Sequence, residues 1–305
     1  MATVCLGIKN IVYNKQGQMM YNILNMWKKK NAIKSLNWSL SISSFIGALL
    51  SFILLRSNFW WIGLIIFVAT FIIVFFTIYL VLRFKKRHRI SGRGSVFIES
   101  RYGNVLNIKK DKREKSKPVV VIPVNSSFDT IVEDSPSIVD RIVEGTSIHG
   151  QWLRQYASTP ELLEKLDRDI SQFIANKHWV PIKVLDNKRG KKDVYPLGSY
   201  VFIETNDCIF LLFALTEFNE HNKVVKKDAE EFTILMKKLM DITDECAGKH
   251  VYIPVMGTKI ALFGIDDLAS FEYIKNAALN KKCSLRASIS IVIFEESRDK
   301  LSIYD

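Results

Sequence analysis

The sequence predicts a two-part α/β protein: a hairpin of two membrane-spanning helices, then a helix–sheet–helix sandwich. Three observations carry this expectation. Ser35–Leu55 and Ser57–Leu82 hold no charged side chain and only Arg56 separates them; each run reaches the roughly 20 apolar residues that cross a bilayer core as a helix. After residue 118, short β-branched runs alternate with longer amphipathic stretches, the pattern of a sheet covered by helices. The charge is also segregated. The chain carries a net +12, yet residues 1–90 hold twelve Lys and Arg and no acid, the first acid being Glu99. Beyond residue 90 the charges cancel, so net charge gives no support for a nucleic-acid partner.

Residues 1–34 form a basic segment in which Met19, Met20, Ile23, Leu24 and Trp27 share one helical face. That face fits either a helix lying on anionic headgroups or one packing on a partner subunit. Residues 35–83 form the hairpin, with spans at about 36–55 and 59–82. Asn37, Ser41, Ser44, Ala48 and Ser51 make a small-residue seam on the first span, and Gly63, Thr70 and Thr77 one on the second. Such seams pack two helices together or assemble an oligomer. No acid or base sits mid-span, so an ion relay is not expected. Lys28, Lys29, Lys30 and Lys34 precede the spans, and Arg83, Lys85, Lys86, Arg87 and Arg89 follow them. The positive-inside rule then places both termini in the cytoplasm, with Trp60 and Trp61 in the outer aromatic belt. The first apolar run starts too late and is too long for a cleaved signal peptide.

Residues 84–117 read as a basic connector with strand-like pieces at Ser95–Glu99 and Asn104–Ile108. Residues 118–305 read as the compact domain. Pro118–Pro123 and His250–Pro254 are apolar runs typical of buried central strands. Ser147–Tyr156 reads as a short helix. Thr159 caps a longer one, with Pro160 and Glu161 in its first turn, running to Asn176. Strands are expected at Tyr200–Glu204, Cys208–Leu215 and Ala287–Phe294, and helices at Lys227–Ala247 and about Asp266–Leu279. Cys5, Cys208, Cys246 and Cys283 show no CxxC spacing, and the five His show no paired-ligand spacing. Neither a disulfide framework nor a metal site is expected.

Two strand-to-loop junctions stand out, both introduced by Ile-Pro. One is Asn125-Ser126-Ser127-Phe128-Asp129-Thr130 after the first central strand, and the other Met256-Gly257-Thr258-Lys259-Ile260 after the second. Ligands bind at the carboxyl ends of strands in open α/β sheets, and backbone N–H groups around Gly257 could cradle a phosphate.

Through PVVVIPVNSSFDTIVED, SIHGQWLRQY, YPLGSY, LLFALTEFNEHN and VYIPVMGTKIALFG, residues 95–305 resemble the macro domain of Thoeris anti-phage defence effectors. The hairpin resembles the anchor of their membrane-bound, ThsA-like type II branch. The resemblance implies a macro-like α/β/α sandwich that binds an ADP-ribose derivative, with histidine-conjugated ADP-ribose made by a partner TIR-domain enzyme as the signal. It implies no cofactor and no catalytic residue. Asn125, Ser126, Phe128, Asp129 and Thr130 would form the first ligand loop. Ser147, His149 and Gly150 would border the site, and Gly257, Thr258, Lys259 and Ile260 would hold the diphosphate. It further implies a homo-oligomer in the bacterial inner membrane that disrupts the bilayer when the signal binds. Asn104 stands where macro domains commonly place an adenine-binding acid, and Phe128-Asp129-Thr130 replaces the Gly- and Asn-rich loop of ADP-ribosyl hydrolases. The enzyme alternative, a membrane-tethered ADP-ribosyl hydrolase, would need Asp129 or His149 to position a water. A bare anchor for a partner enzyme is the third reading.

Overall fold

The computed structural model describes residues 36–42, 44, 60–92, 94–108, 116–135, 141–257 and 263–305. The chain divides into two compact units, Met1–Lys85 and Lys86–Asp305. In the first, residues 36–42 are helical and helix α1 covers Trp60–Phe84, with Arg83 its one charged residue. Thr77 Oγ1 donates to the Ile73 carbonyl at 2.8 Å, the local bond that satisfies a hydroxyl within an apolar helix. Ile65, Val68, Ile72, Ile73, Phe76 and Leu80 of α1 are exposed. Taken over the described side chains alone, which in α1 are Ile65 and 68–80, no helix is long and apolar enough to cross a membrane. Helix α1 overlaps the second span of the expected hairpin, about 59–82. Most of its first span, and the amphipathic face from Met19 to Trp27, lie outside the described residues.

The second unit opens with β1 (Arg87–Ser91), β2 (Ile98–Tyr102) and β3 (Val119–Asn125). A two-residue parallel pair follows, β4 (Val132–Glu133) and β5 (Val143–Glu144), then helices α2 (Ile148–Tyr156) and α3 (Pro160–Asn176). The short hairpin of β6 (Lys183–Val184) and β7 (Asp193–Val194) leads to β8 (Tyr200–Glu204) and β9 (Ile209–Thr216). Helix α4 (Ala229–Ile242), β10 (His250–Pro254), helix α5 (Asp267–Asn280) and β11 (Ser288–Ile293) complete the unit. Seven strands form one sheet in the order β1-β2-β11-β10-β3-β9-β8. The central five run parallel, and β1 and β8 close the two edges antiparallel.

The side-chain alternation of β3 sets the layers. Val119 and Val121 face one core with Leu235, Met236 and Leu239 of α4 and Phe271 and Ile274 of α5. Val120, Ile122 and Val124 face the other, with Trp152 and Leu153 of α2 and Leu166 and Ile170 of α3. Both faces of the sheet are thus buried, which is why its strands read as continuous apolar runs. The caps follow the sequence. Ser147, Thr159, Asp228 and Asp266 each accept the third backbone N–H of their helix, filling orphan donors at the helix start.

The connector departs from expectation. Strand β1 lies in the Arg87–Ser91 stretch read as a basic flank, and β2 begins at Ile98 rather than Ser95. The piece expected as a strand at Asn104–Ile108 is a 3₁₀ turn over Val105–Asn107, because Asn104 Oδ1 accepts the Leu106 N–H at 2.9 Å. That local bond competes with strand pairing.

Candidate functional site

The carboxyl ends of β3, β9, β10 and β11 open into one cavity of about 860 Å³. Asn125, Thr216, Met256 and Phe294 mark those four strand ends on its wall. Helix α2 points its first turn into it through Ser147, Ile148 and His149. Ser147 Oγ accepts the Gly150 N–H at 3.0 Å and donates to the Glu144 carbonyl at 2.6 Å, which fixes the helix start against the loop after β5. A Cβ at Gly150 would meet the Gly145 Cα at 2.7 Å. Gly150 therefore permits that close approach and does not line the cavity.

Of the twelve residues expected at the site, Asn125, Ser147, His149 and Gly257 line the cavity. Thr258, Lys259 and Ile260 lie outside the described residues. The rest of the first loop is turned inward. Phe128 is buried at a left-handed backbone (φ 51°) and packs 6.0 Å from the Tyr195 ring. Ser126 is buried, its N–H donating to the Thr216 carbonyl at 2.7 Å. Thr130 donates to Asp167 Oδ1 at 2.9 Å.

Asp129 is fully buried. Its Oδ2 accepts Lys188 Nζ at 2.6 Å and Asn125 Nδ2 at 3.0 Å, and its Oδ1 accepts the Lys191 N–H at 2.6 Å. The Lys188 ammonium is also removed from solvent and donates a second bond, 2.7 Å, to the Lys191 carbonyl. Burial pushes the Asp129 carboxyl up, and Lys188 opposes it. The pair pins the loop 185–192, and Gly190 (φ 81°) leaves room for the carboxylate. Arg189, the residue after Lys188, exchanges backbone bonds with the Asn222 side chain at 3.2 and 3.4 Å. Asn222 sits at φ 59°, which Asn tolerates, and lines the cavity. Asp129 thus supports two wall residues, Asn125 and Asn222, from behind.

His149 is buried, and burial, then Lys191, lowers its pKa to about 3. Its imidazole is neutral at physiological pH. His250, outside the cavity, is lowered to about 4 by burial, then by Arg101 and Arg87. For both, the folded pKa lies below the unfolded value of about 6.5. Their contribution is complete above pH 6.5 and is lost as pH falls toward 4 and then 3. We expect stability to fall by roughly 1.4 kcal/mol per pH unit for each histidine below pH 6.5. Denaturant melts between pH 7 and pH 5 check this: His149→Gln should flatten the slope, and an unchanged slope refutes it.

Gly257 adopts φ 88°, and a Cβ there would meet the Phe232 ring at 2.5 Å. Phe232 is a fully buried core residue, so the glycine is required by backbone and packing together. Gly257→Ala should cost about 1–3 kcal/mol, read as a drop in the urea midpoint; a neutral effect would show that the loop relaxes freely.

Sequence reasoning missed much of the wall. Arg141 precedes β5 and Glu144 ends it, Thr216 ends β9 and Lys223 follows it, and Lys300 follows β11. The sequence reading placed ligands beyond two of the four strands that open into the cavity; the ends of the other two, β9 and β11, lead to Thr216, Lys223 and Lys300. Lys223 and Lys300 are exposed to the cavity and make no ion pair among the described residues. The described residues also hold no His, Cys, Asp and Glu group suited to a metal.

The family model described as Thoeris protein ThsA, Macro domain, matches residues 98–294. Thoeris protein ThsA of Bacillus amyloliquefaciens (strain Y2) is 25% identical over 292 residues, 92% of this chain and 92% of its own. Among solved structures, the Oceanobacillus iheyensis macrodomain with MES bound has a TM-score of 0.43 at 10% identity, covering 72% of this chain and 93% of its own. The same macrodomain with ADP has a TM-score of 0.43 at 10% identity, covering 72% and 92%.

Proposed function

The chain belongs to the Thoeris ThsA macro-domain family, and from that premise we propose that it is a ligand-gated membrane effector of an anti-phage system. The cavity takes an ADP-ribose-derived signal, with histidine-conjugated ADP-ribose from a partner TIR-domain enzyme as the leading candidate. Binding rearranges a homo-oligomer in the bacterial inner membrane, and the N-terminal hairpin then disrupts the bilayer. Both termini lie in the cytoplasm.

The observation that carries the reading is the cavity itself. It is large enough for a nucleotide-sized ligand. It combines the N-terminus of α2, a ready anion site, with two cavity lysines. The burial of Asp129 beneath Lys188 favours binding over hydrolysis, since that carboxylate is occupied. The exposed apolar side chains of α1, Ile73 and Phe76 among them, favour a lipid environment, because water tolerates only limited apolar patches. Together with the charge-free runs in the sequence, they support the anchor.

The test is calorimetric titration of the detergent-solubilised full chain with ADP-ribose, NAD, cyclic ADP-ribose and the histidine conjugate. Liposomes carrying the chain are then scored for dye release. Saturable binding with ligand-dependent leakage supports the reading. Binding without leakage removes the membrane step, and no binding to any of the four removes the whole.

A further inference from the structure

Outside the cavity, strands β1 and β2 present a positively charged sheet face. Their register sets Arg87 directly opposite Arg101 and Arg89 opposite Glu99. Residues paired in this way share a face, and like charges directly opposite one another are destabilising. Neither Arg87 nor Arg101 has a carboxylate partner within ion-pair distance among the described residues. Glu99 is buried and accepts the Ser290 hydroxyl at 2.6 Å. Arg101 lays its guanidinium 5.4 Å from the centre of the Tyr252 ring, and its Nε is buried without a hydrogen-bond partner. Tyr252, in turn, bonds His250 at 3.1 Å, and His250 bonds Ser290 at 2.8 Å. Arg101 also hydrogen-bonds Tyr252 through its side chain, so its Nε is the one buried donor of this network left without a partner among the described residues. Burial, then Arg87, lowers the Arg101 pKa, and Tyr252 and Glu99 only partly oppose them.

We propose that Arg87 and Arg101 form a seat for the phosphate of an anionic lipid headgroup. The inference rests on the membrane reading of α1. Arg87 follows Phe84, the last residue of α1, by three positions, and three residues of chain span at most about 11 Å. Arg89 extends the same basic strand, holding the Gly94 carbonyl at 3.3 Å and lying 4.4 Å from the Phe97 ring centre. Basic residues close to an apolar span are drawn to anionic leaflets, and two guanidinium forks match a phosphate. The seat relieves the repulsion between the two arginines and steadies the first strand of the binding domain at the lipid surface.

The full chain in neutral detergent is titrated with phosphatidylglycerol, phosphatidylcholine or inorganic phosphate, and lipid retention is read by native mass spectrometry. Phosphatidylglycerol should be retained in preference to phosphatidylcholine. R87Q/R101Q should weaken that retention about thirtyfold, and without lipid it should unfold no more easily than the parent. Equal retention by parent and variant overturns the seat. An equal thermal shift from inorganic phosphate overturns the lipid as its occupant. ADP-ribose titration of the same samples separates this from the cavity reading, because the variant should match the parent there. A chain that does not sediment with membranes sinks the anchor itself.

Discussion

Lys188→Ala should lower the unfolding free energy by about 3–5 kcal/mol, the effect of breaking a buried ion pair from one side. The reason is geometric. Asp129 is fully buried, and among the described residues Lys188 is the one ammonium paired with it, at 2.6 Å. Removing the lysine leaves the carboxylate with only neutral donors, the Asn125 amide and the Lys191 N–H. The direction with pH follows. Burial already raises the Asp129 pKa, and losing Lys188 raises it further. The variant's deficit is therefore present above the unfolded value near 3.9 and shrinks as acid protonates the carboxyl. Asp129→Asn combined with Lys188→Met should recover most of the loss, since an uncharged pair of similar volume needs no counter-ion. Denaturant melts of all three chains at pH 7 and pH 5 check the set. A loss below about 1 kcal/mol for Lys188→Ala would mean that water reaches the pair.

The buried Asp129–Lys188 pair marks the limit of what was readable in the sequence. Periodicity placed helices at 147–156, 227–247 and about 266–279, and the Thr159 cap placed the one that runs to Asn176, because local chemistry decides a helix start; the helix expected at 227–247 is shorter, Ala229–Ile242, and ends in a 3₁₀ turn over Thr243–Cys246. The apolar runs at 118–123 and 250–254 became the central strands Val119–Asn125 and His250–Pro254, because burial on both faces leaves no polar alternation. What failed was direction. Asn125 to Thr130 is a strand-end loop of small and polar residues, and such a loop faces a ligand or the scaffold with the same composition. Asn125 faces the cavity while Phe128 and Asp129 turn inward, and the left-handed backbone of Phe128 carries that reversal. The partner that decides the matter, Lys188, is 59 residues away, and no local pattern announces it. Strand β1 was hidden for a related reason. It is an edge strand, and its charges read as a solvated flank although edge strands commonly carry them.

Charge reversal inside the cavity should act on binding and leave the fold alone. Lys223 and Lys300 line the wall and make no ion pair among the described residues, so Lys223→Glu with Lys300→Glu should move the unfolding midpoint little. A hydrogen bond to a charged group is worth about 1.5–3 kcal/mol, and every 1.4 kcal/mol is tenfold in affinity. Losing two such contacts to a diphosphate predicts at least a hundredfold weaker ADP-ribose binding, measured by calorimetry on the full chain. The control carries the same change in net charge elsewhere. Lys165 on α3 and Lys237 on α4 are exposed and off the cavity wall, so Lys165→Glu with Lys237→Glu should reduce affinity only through long-range steering, which salt screens. If both double variants weaken binding alike, and both recover in high salt, the lysines act as a diffuse field and the cavity holds no diphosphate at that wall. If only the cavity pair loses affinity, and salt does not restore it, the phosphates lie within hydrogen-bond reach of residues 223 and 300. The first turn of α2, pinned through Ser147, and Arg141 on the same wall would then be the further anion donors of the site.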